Sequence, residues 1–427
     1  MRSVGRALRH RNYRLFFTGQ SISLVGTWLT KVATAWLVYR LTDSAWLLGV
    51  VGFAGQIPTF VLAPLAGVLV DRWNRRRVLL ATQMLAMLQS ALLATLALSG
   101  VIQIWEVIAL SVVQGLVDAF DIPVRQSLVV RIVDDRNDLP NAIALNSSMV
   151  NAGRLLGPAI AGVLIAAVGE GWCFFIDAVS YAAVIVSVLL MRLDAQPPAP
   201  KATHVLHEMA EGFRYASGFA PIRALLLLLA VTGLAGRPFA VLLPVIAREV
   251  MHGGAGTLGI LQAAAGMGAL AGTIYLASRS SIRGLGRVIV MSAALFGLGL
   301  AAFSRAHALW LAMPLLFLAG TGMMLQTAAS NTIIQTIVDE DKRGRVMSLF
   351  AMSLFGTVPL GSLIAGALAT RIGAENTLLL GGAICVIAAG LFLRALPRVR
   401  AAVRPIYERM GIPPRTEEAT EIVVPDN

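Results

Sequence analysis

Residues 132–169 read IVDDRNDLPNAIALNSSMVNAGRLLGPAIAGVLIAAVG, and residues 337–373 read IVDEDKRGRVMSLFAMSLFGTVPLGSLIAGALATRIG. One gap aligns the opening IVD, a later Ala-Gly pair and the closing Gly. Each stretch runs from a charged turn into an apolar segment as long as a bilayer is thick. A hydrocarbon core about 30 Å thick takes roughly 20 mostly apolar residues per helix. The echo therefore predicts a duplicated membrane unit. Such repeats imply a transporter whose site lies between two halves at mid-membrane.

The rest of the chain fits that unit. Mean hydropathy is +0.75, with 57% hydrophobic and 14% charged residues over 427. That composition excludes a soluble domain. Helices are expected over about 13–39, 45–70, 78–99, 104–130, 139–168, 172–192, 222–247, 256–278, 287–304, 308–336, 345–370 and 375–396. The expected fold is an all-α membrane protein of twelve transmembrane helices in two pseudo-symmetric six-helix halves. The first half is 1–192, a linker loop 193–221, the second half 222–396 and a loose tail 397–427. Leu48-Gly49 echoes Leu258-Gly259, so the second helix corresponds to the eighth and the fifth to the eleventh. Residues 203–217 of the linker can form a short amphipathic helix.

Charge gives an orientation. Arg2, Arg6, Arg9, Arg11 and Arg14, then Arg72, Arg75, Arg76 and Arg77, then Arg192, Lys201, Arg214 and Arg223 fall on one side. Arg40, Arg248, Arg305 and Arg371 fall on the other. The basic side is expected to be cytoplasmic, with both termini inside and the chain in the inner (plasma) membrane. The net charge of +12 then reports topology and attraction to anionic lipid headgroups, not nucleic-acid binding. The first apolar run is long and contains Lys31, and is read as a retained helix, not a signal peptide. No Gly-rich phosphate loop, metal-ligand spacing or catalytic constellation is present, so no enzyme, cofactor or metal is expected. Cys173 and Cys385 make no disulfide framework.

Between the second and third helices stands Gly67-Val-Leu-Val-Asp71-Arg72-Trp73-Asn74-Arg75-Arg76-Arg77. This resembles the signature loop of the major facilitator superfamily, with Asn74 where the pattern has Gly. Asn tolerates a left-handed turn, so the loop conformation is expected to persist. The resemblance implies that Gly67, Asp71, Arg72, Arg75 and Arg76 form a conformational switch that holds in one state and breaks in the other. Gly153-Arg154-Leu155-Leu156-Gly157-Pro158-Ala159-Ile160-Ala161-Gly162 is similar to the antiporter motif of drug exporters in that superfamily, with Ala161 replacing one Gly. By that resemblance Gly153, Gly157, Pro158 and Gly162 would seal a contact between the fifth and eleventh helices. The segments Phe120–Gln126, Asn141–Ser147, Leu242–Pro244 and Arg343–Val346 resemble the branch containing the enterobactin exporter and multidrug efflux proteins.

Charges inside the apolar spans are few: Lys31, Asp118, Asp121, Arg125, Arg154, Asp177 and Arg237. Such residues are costly in lipid and are functional candidates. Asp118, Asp121, Arg125 and Arg154 are read as the proton-coupling group. A fixed ion pair of Asp121 with Arg125 stands as the alternative, and Asp177 is read as structurally paired. Superfamily architecture implies that helices 1, 4, 7 and 10 line the cavity. Gln20, Lys31, Gln114, Arg237, Gln326 and Asn331 are its candidate substrate contacts. Trp28, Trp36 and Trp46 fit an interfacial belt. The expected function is proton-antiport export of small hydrophobic or amphiphilic molecules such as drugs, by a monomer with alternating access. A siderophore or metabolite exporter and a lipid or lysolipid translocator are the alternatives.

Overall fold

A computed structural model describes residues 5–192, 205–279, 281–340 and 342–409. Among these, twelve helices are long and apolar enough to cross a membrane. The first half holds α1 (Arg11–Thr42), α2 (Ala45–Arg72), α3 (Arg75–Leu98), α4 (Ile104–Val129), α5 (Leu139–Val168) and α6 (Glu170–Leu190). A short helix, α7 (Val205–Gly218), precedes the second half. The seventh span is broken into α8 (Ala220–Ala235), α9 (Phe239–Val245) and a π-helical turn, Ile246–Val250. Next come α10 (Ala255–Ala277), α11 (Leu285–Phe303) and α12 (Leu309–Ile337). The eleventh span is α13 (Arg343–Ala351), a second π-helical turn (Met352–Gly356) and α14 (Thr357–Ile372), and the last is α15 (Ala374–Arg409).

Local chemistry sets the ends. Asp43 takes a left-handed conformation (φ 47°) and closes α1, and the Ser44 hydroxyl accepts from the Leu47 N–H to start α2. Asn74 is not in the left-handed region expected from the Gly it replaces. Its φ is −68°, and its side chain caps α3 by accepting from the Arg77 N–H at 3.1 Å. An N-cap needs a short polar side chain on extended backbone, and Asn supplies both. The tail expected to be loose from 397 is helical to Arg409, through Pro397 and Pro405. There it buries Val399 and Val403 in the terminal-side core of the second half.

The two halves repeat one contact scheme. In the first, α6 packs on α1 and α3, and α2 on α4; in the second, α15 packs on α8 and α11, and α10 on α12. The halves meet through α5 against α10 and α2 against α14. At the side remote from the termini one apolar core draws on both halves, with Leu37, Leu48, Leu258 and Ala365 among its members. At the side bearing the termini there are instead two separate cores, one around Phe16 and Leu128 and one around Leu225 and Ile334. A Cβ built on Gly67, near that side, would meet nothing within 4 Å. The halves are therefore closed together at the far face and parted toward the termini.

Candidate functional site

Small residues let the far-side contact close. A Cβ on Gly162 would stand 2.9 Å from the Gly259 Cα, and one on Gly259 would stand 2.8 Å from the Gly162 Cα. No side chain fits between these helices. Pro158 carries no N–H, so the Arg154 carbonyl, four residues back, is freed from the helix ladder. That carbonyl lies against Gly266 of α10. The glycine motif of α5 thus seals against α10, the eighth span, not the eleventh as the superfamily pattern implied. Gly153 and Gly157 face the other way, onto Leu24 and Trp28 of α1.

Polar contacts cross the same face. The Tyr39 hydroxyl of α1 donates to Glu249, and Arg248 lies 3.0 Å from Asp43. Arg248 and Glu249 both sit on the π-helical turn that ends the seventh span. Such turns re-aim side chains and recur at functional positions. Arg40 is held within the first half by Glu170 at 2.7 Å.

The intramembrane charges separate into three groups. Asp121 is buried, with Oδ2 2.7 Å from Nε of Arg125 one turn along α4. Thr82 (3.0 Å) and Gln83 (2.7 Å) of α3 donate to its Oδ1. Arg125 in turn donates to Gln20 at 3.0 Å, and Gln20 is 1% exposed. This network joins α1, α3 and α4, with Gln20 Nε2 and Gln83 Oε1 buried in it without a partner. Asp177, equally buried, is held by hydroxyls, not by a cation. Thr30 and Ser90 each donate to its Oδ2 at 2.8 Å.

Asp118 differs. It is half-buried and accepts from Gln114 at 2.9 Å, four residues back on α4. No cation lies within ion-pair distance of it among the described residues. Lys31 of α1 lies 4.8 Å from the centre of the Trp28 ring, and Arg154 lies 5.7 Å from the same ring. Arg154 also points at the Met324 sulfur of α12 (3.9 Å), while Arg237 donates to Thr327 of α12 at 2.6 Å.

These placements revise the candidate set. Arg154 is not brought to a carboxylate, so it does not form one group with Asp118, Asp121 and Arg125. Gln20 and Gln326 are buried in helix contacts, Gln326 donating to Thr232, and neither faces the open centre. Lys31 is exposed and Gln114, Arg237 and Asn331 are partly exposed, with Asn331 accepting from Gln335. Trp28 does not belong to an interfacial belt, because it wedges between α1 and the glycines of α5. Its spacing of three from Lys31 was the available signal. Asp71 falls in the last turn of α2, and its side chain lies outside the described residues. Arg76 donates to the Leu189 carbonyl at 2.9 Å, tying the loop to α6.

The likeness to known proteins follows the geometry. The family model for transmembrane secretion effectors matches residues 4–417. The chain is 26% identical over 382 residues to the Staphyloferrin A transporter of Staphylococcus aureus, covering 87% of this chain and 94% of that one. It is 28% identical over 385 residues to the multidrug efflux pump Tap of Mycolicibacterium fortuitum, covering 88% and 93%. Among solved structures, a bacterial homologue of the human lysosomal transporter Spinster, inward-facing and unoccupied, superposes with a TM-score of 0.73 at 14% identity, over 93% and 98% of the two chains. That last likeness concerns fold alone. The chain spans nearly the whole length of these relatives, and it is no enzyme but a multi-pass membrane transporter of the transmembrane secretion effector family, an efflux branch of the major facilitator superfamily.

Proposed function

We propose that this chain exports small hydrophobic or amphiphilic molecules from the cytoplasm in exchange for protons, by alternating access. In this reading it works as a monomer in the inner membrane with both termini cytoplasmic. The observation that carries the proton step is the contrast on α4. Asp121 is locked by Arg125, Thr82 and Gln83, whereas Asp118 is half-buried with Gln114 as its hydrogen-bond donor and no ion-pair partner among the described residues. A carboxylate between helices that is not consumed by an ion pair is free to gain and lose a proton as the cavity changes sides. Opening of the far face requires Tyr39–Glu249, Arg248–Asp43 and the glycine seal to part, while the terminal side closes.

Efflux of a dye panel from everted vesicles tests this, with a proton gradient and ATP supplied separately. Export driven by the gradient alone is expected. Export that persists after full collapse of the gradient and stops without ATP would overturn the reading. The relative that transports a siderophore favours a second reading, in which the substrate is a metabolite the cell makes itself.

A further inference from the structure

Three intramembrane cations, Lys31, Arg154 and Arg237, have no carboxylate within 4.0 Å among the described residues. Lys31 and Arg154 flank the Trp28 ring at 4.8 Å and 5.7 Å. Arg154 comes from the first half and reaches Met324, while Arg237 comes from the second half and reaches Thr327. Met324 and Thr327 are three residues apart, so they share one face of α12 at a rise of about 4.5 Å. The two guanidinium groups therefore converge on the same face of α12. Neither has a carboxylate within 4.0 Å among the described residues; their polar contacts are a thioether and a hydroxyl.

Placing cations in a low-dielectric span without counter-charge is expensive. A fold that keeps Arg154 and Arg237 so exposed to each other requires a benefit from an anion that is not part of the chain. Guanidinium groups bind carboxylate and phosphate through paired N–H donors. Trp28 and Met324 beside them offer an aromatic face and a polarizable wall for an apolar body.

We propose that the substrate is an amphiphilic anion, its carboxylate or phosphate held between Arg154 and Arg237 and its apolar part on Trp28 and Met324. Because one arginine belongs to each half, the bound anion ties the halves together, and its release frees them to move. This rests on the transport reading above for the role of the cavity, but its test needs no gradient.

The purified protein in phosphatidylcholine nanodiscs is titrated with dansyl-leucine, dansyl-phenylalanine and dansyl-tryptophan, and with the methyl ester of each. Acid and ester share the apolar body and differ in the negative charge. The acids are expected to bind at least about tenfold more tightly than their esters. Arg154→Gln and Arg237→Gln should each lower acid affinity by about tenfold and leave ester binding unchanged, with Arg→Lys retaining part of the preference. Acids that bind no better than esters in the unaltered protein, including no binding of either, overturn the proposal. So does an equal loss of both in the variants. Should a Gln variant fail to fold, the acid-to-ester ratio of the unaltered protein decides alone. Selective acid binding without proton-driven export would refute the antiport reading and leave this one standing.

Discussion

Nη1 of Arg248 lies 3.0 Å from Oδ1 of Asp43, joining the end of the seventh span to the end of the first across the two halves. Both side chains are largely solvent-accessible, at 42% and 66%. An exposed pair of this kind contributes about 1 kcal/mol or less. It therefore biases a conformational equilibrium more than it stabilises the fold. Asp43→Asn should raise the population open at the far face by up to about fivefold, since ~1 kcal/mol corresponds to that ratio. Distances between spin labels placed on α1 and α10 at that face report the population. An unchanged distance distribution would assign the pair no part in the closure.

Gly162 and Gly259 make a stronger prediction, because their Cα atoms leave no room for a methyl group. Gly162→Ala should force α5 from α10 and disfavour the far-side-closed state by about 1–3 kcal/mol, the usual cost of overpacking. The same labels should show the far face opening, and melting should occur at lower temperature. A variant that melts and opens like the unaltered protein would contradict the seal.

Asp118 and Asp121 sit one turn apart and are expected to respond oppositely. Asp121→Asn removes the charge partner of Arg125 and leaves that guanidinium with Gln20 as its side-chain hydrogen-bond partner among the described residues. Breaking a buried pair on one side costs about 3–5 kcal/mol, so this variant should express poorly and aggregate. Asp118→Asn leaves the Gln114 contact to an amide oxygen and should fold normally. Size-exclusion profiles and melting temperatures of the two variants check the contrast.

His10 gives a pH dependence outside the membrane span. Its ring lies 3.1 Å from both Asp134 and Asp138, two of the three acids of the IVDDRND turn. Burial alone would lower its pKa, but hydrogen bonds and the charges of Asp134 and Asp138 outweigh this and raise it above the ordinary 6.5. A raised pKa means the protonated form favours the docked state. The contribution is full below about pH 6.5 and is lost as pH rises through the raised value. Hydrogen exchange in residues 5–10 should therefore quicken between pH 6 and 8, beyond the intrinsic base-catalysed rate. His10→Gln should remove that excess. An excess that persists in the variant would place the titration elsewhere.

Much of this architecture is legible in the chain itself, because membrane spans announce themselves by length and hydropathy. The echo of 132–169 in 337–373 likewise fixes which spans correspond, and the glycine spacing marks α5 as a contact helix. Its partner was not legible: Gly162 meets Gly259 only because the halves close with α5 on α10. Nor was the fate of Asp121, whose donors Thr82 and Gln83 come from another helix. Gln20 and Gln326 read as cavity residues because amides in apolar spans carry no mark of which face they occupy. The break at Gly236–Pro238 and the continuation of α15 past Pro397 show the limits of reading boundaries. Glycine and proline signal what a segment permits, and packing decides what it does.

The central claim is that export and proton movement are coupled through Asp118. It is tested most directly in proteoliposomes that enclose a pH-sensitive dye, with a transported dye from the vesicle panel imposed as the only gradient. The account predicts that downhill movement of that dye drives protons the other way in the unaltered protein. Asp118→Asn should still exchange labelled for unlabelled substrate but move no protons. Proton movement by Asp118→Asn at the unaltered rate, or substrate flux in the unaltered protein with no pH change at all, would contradict it.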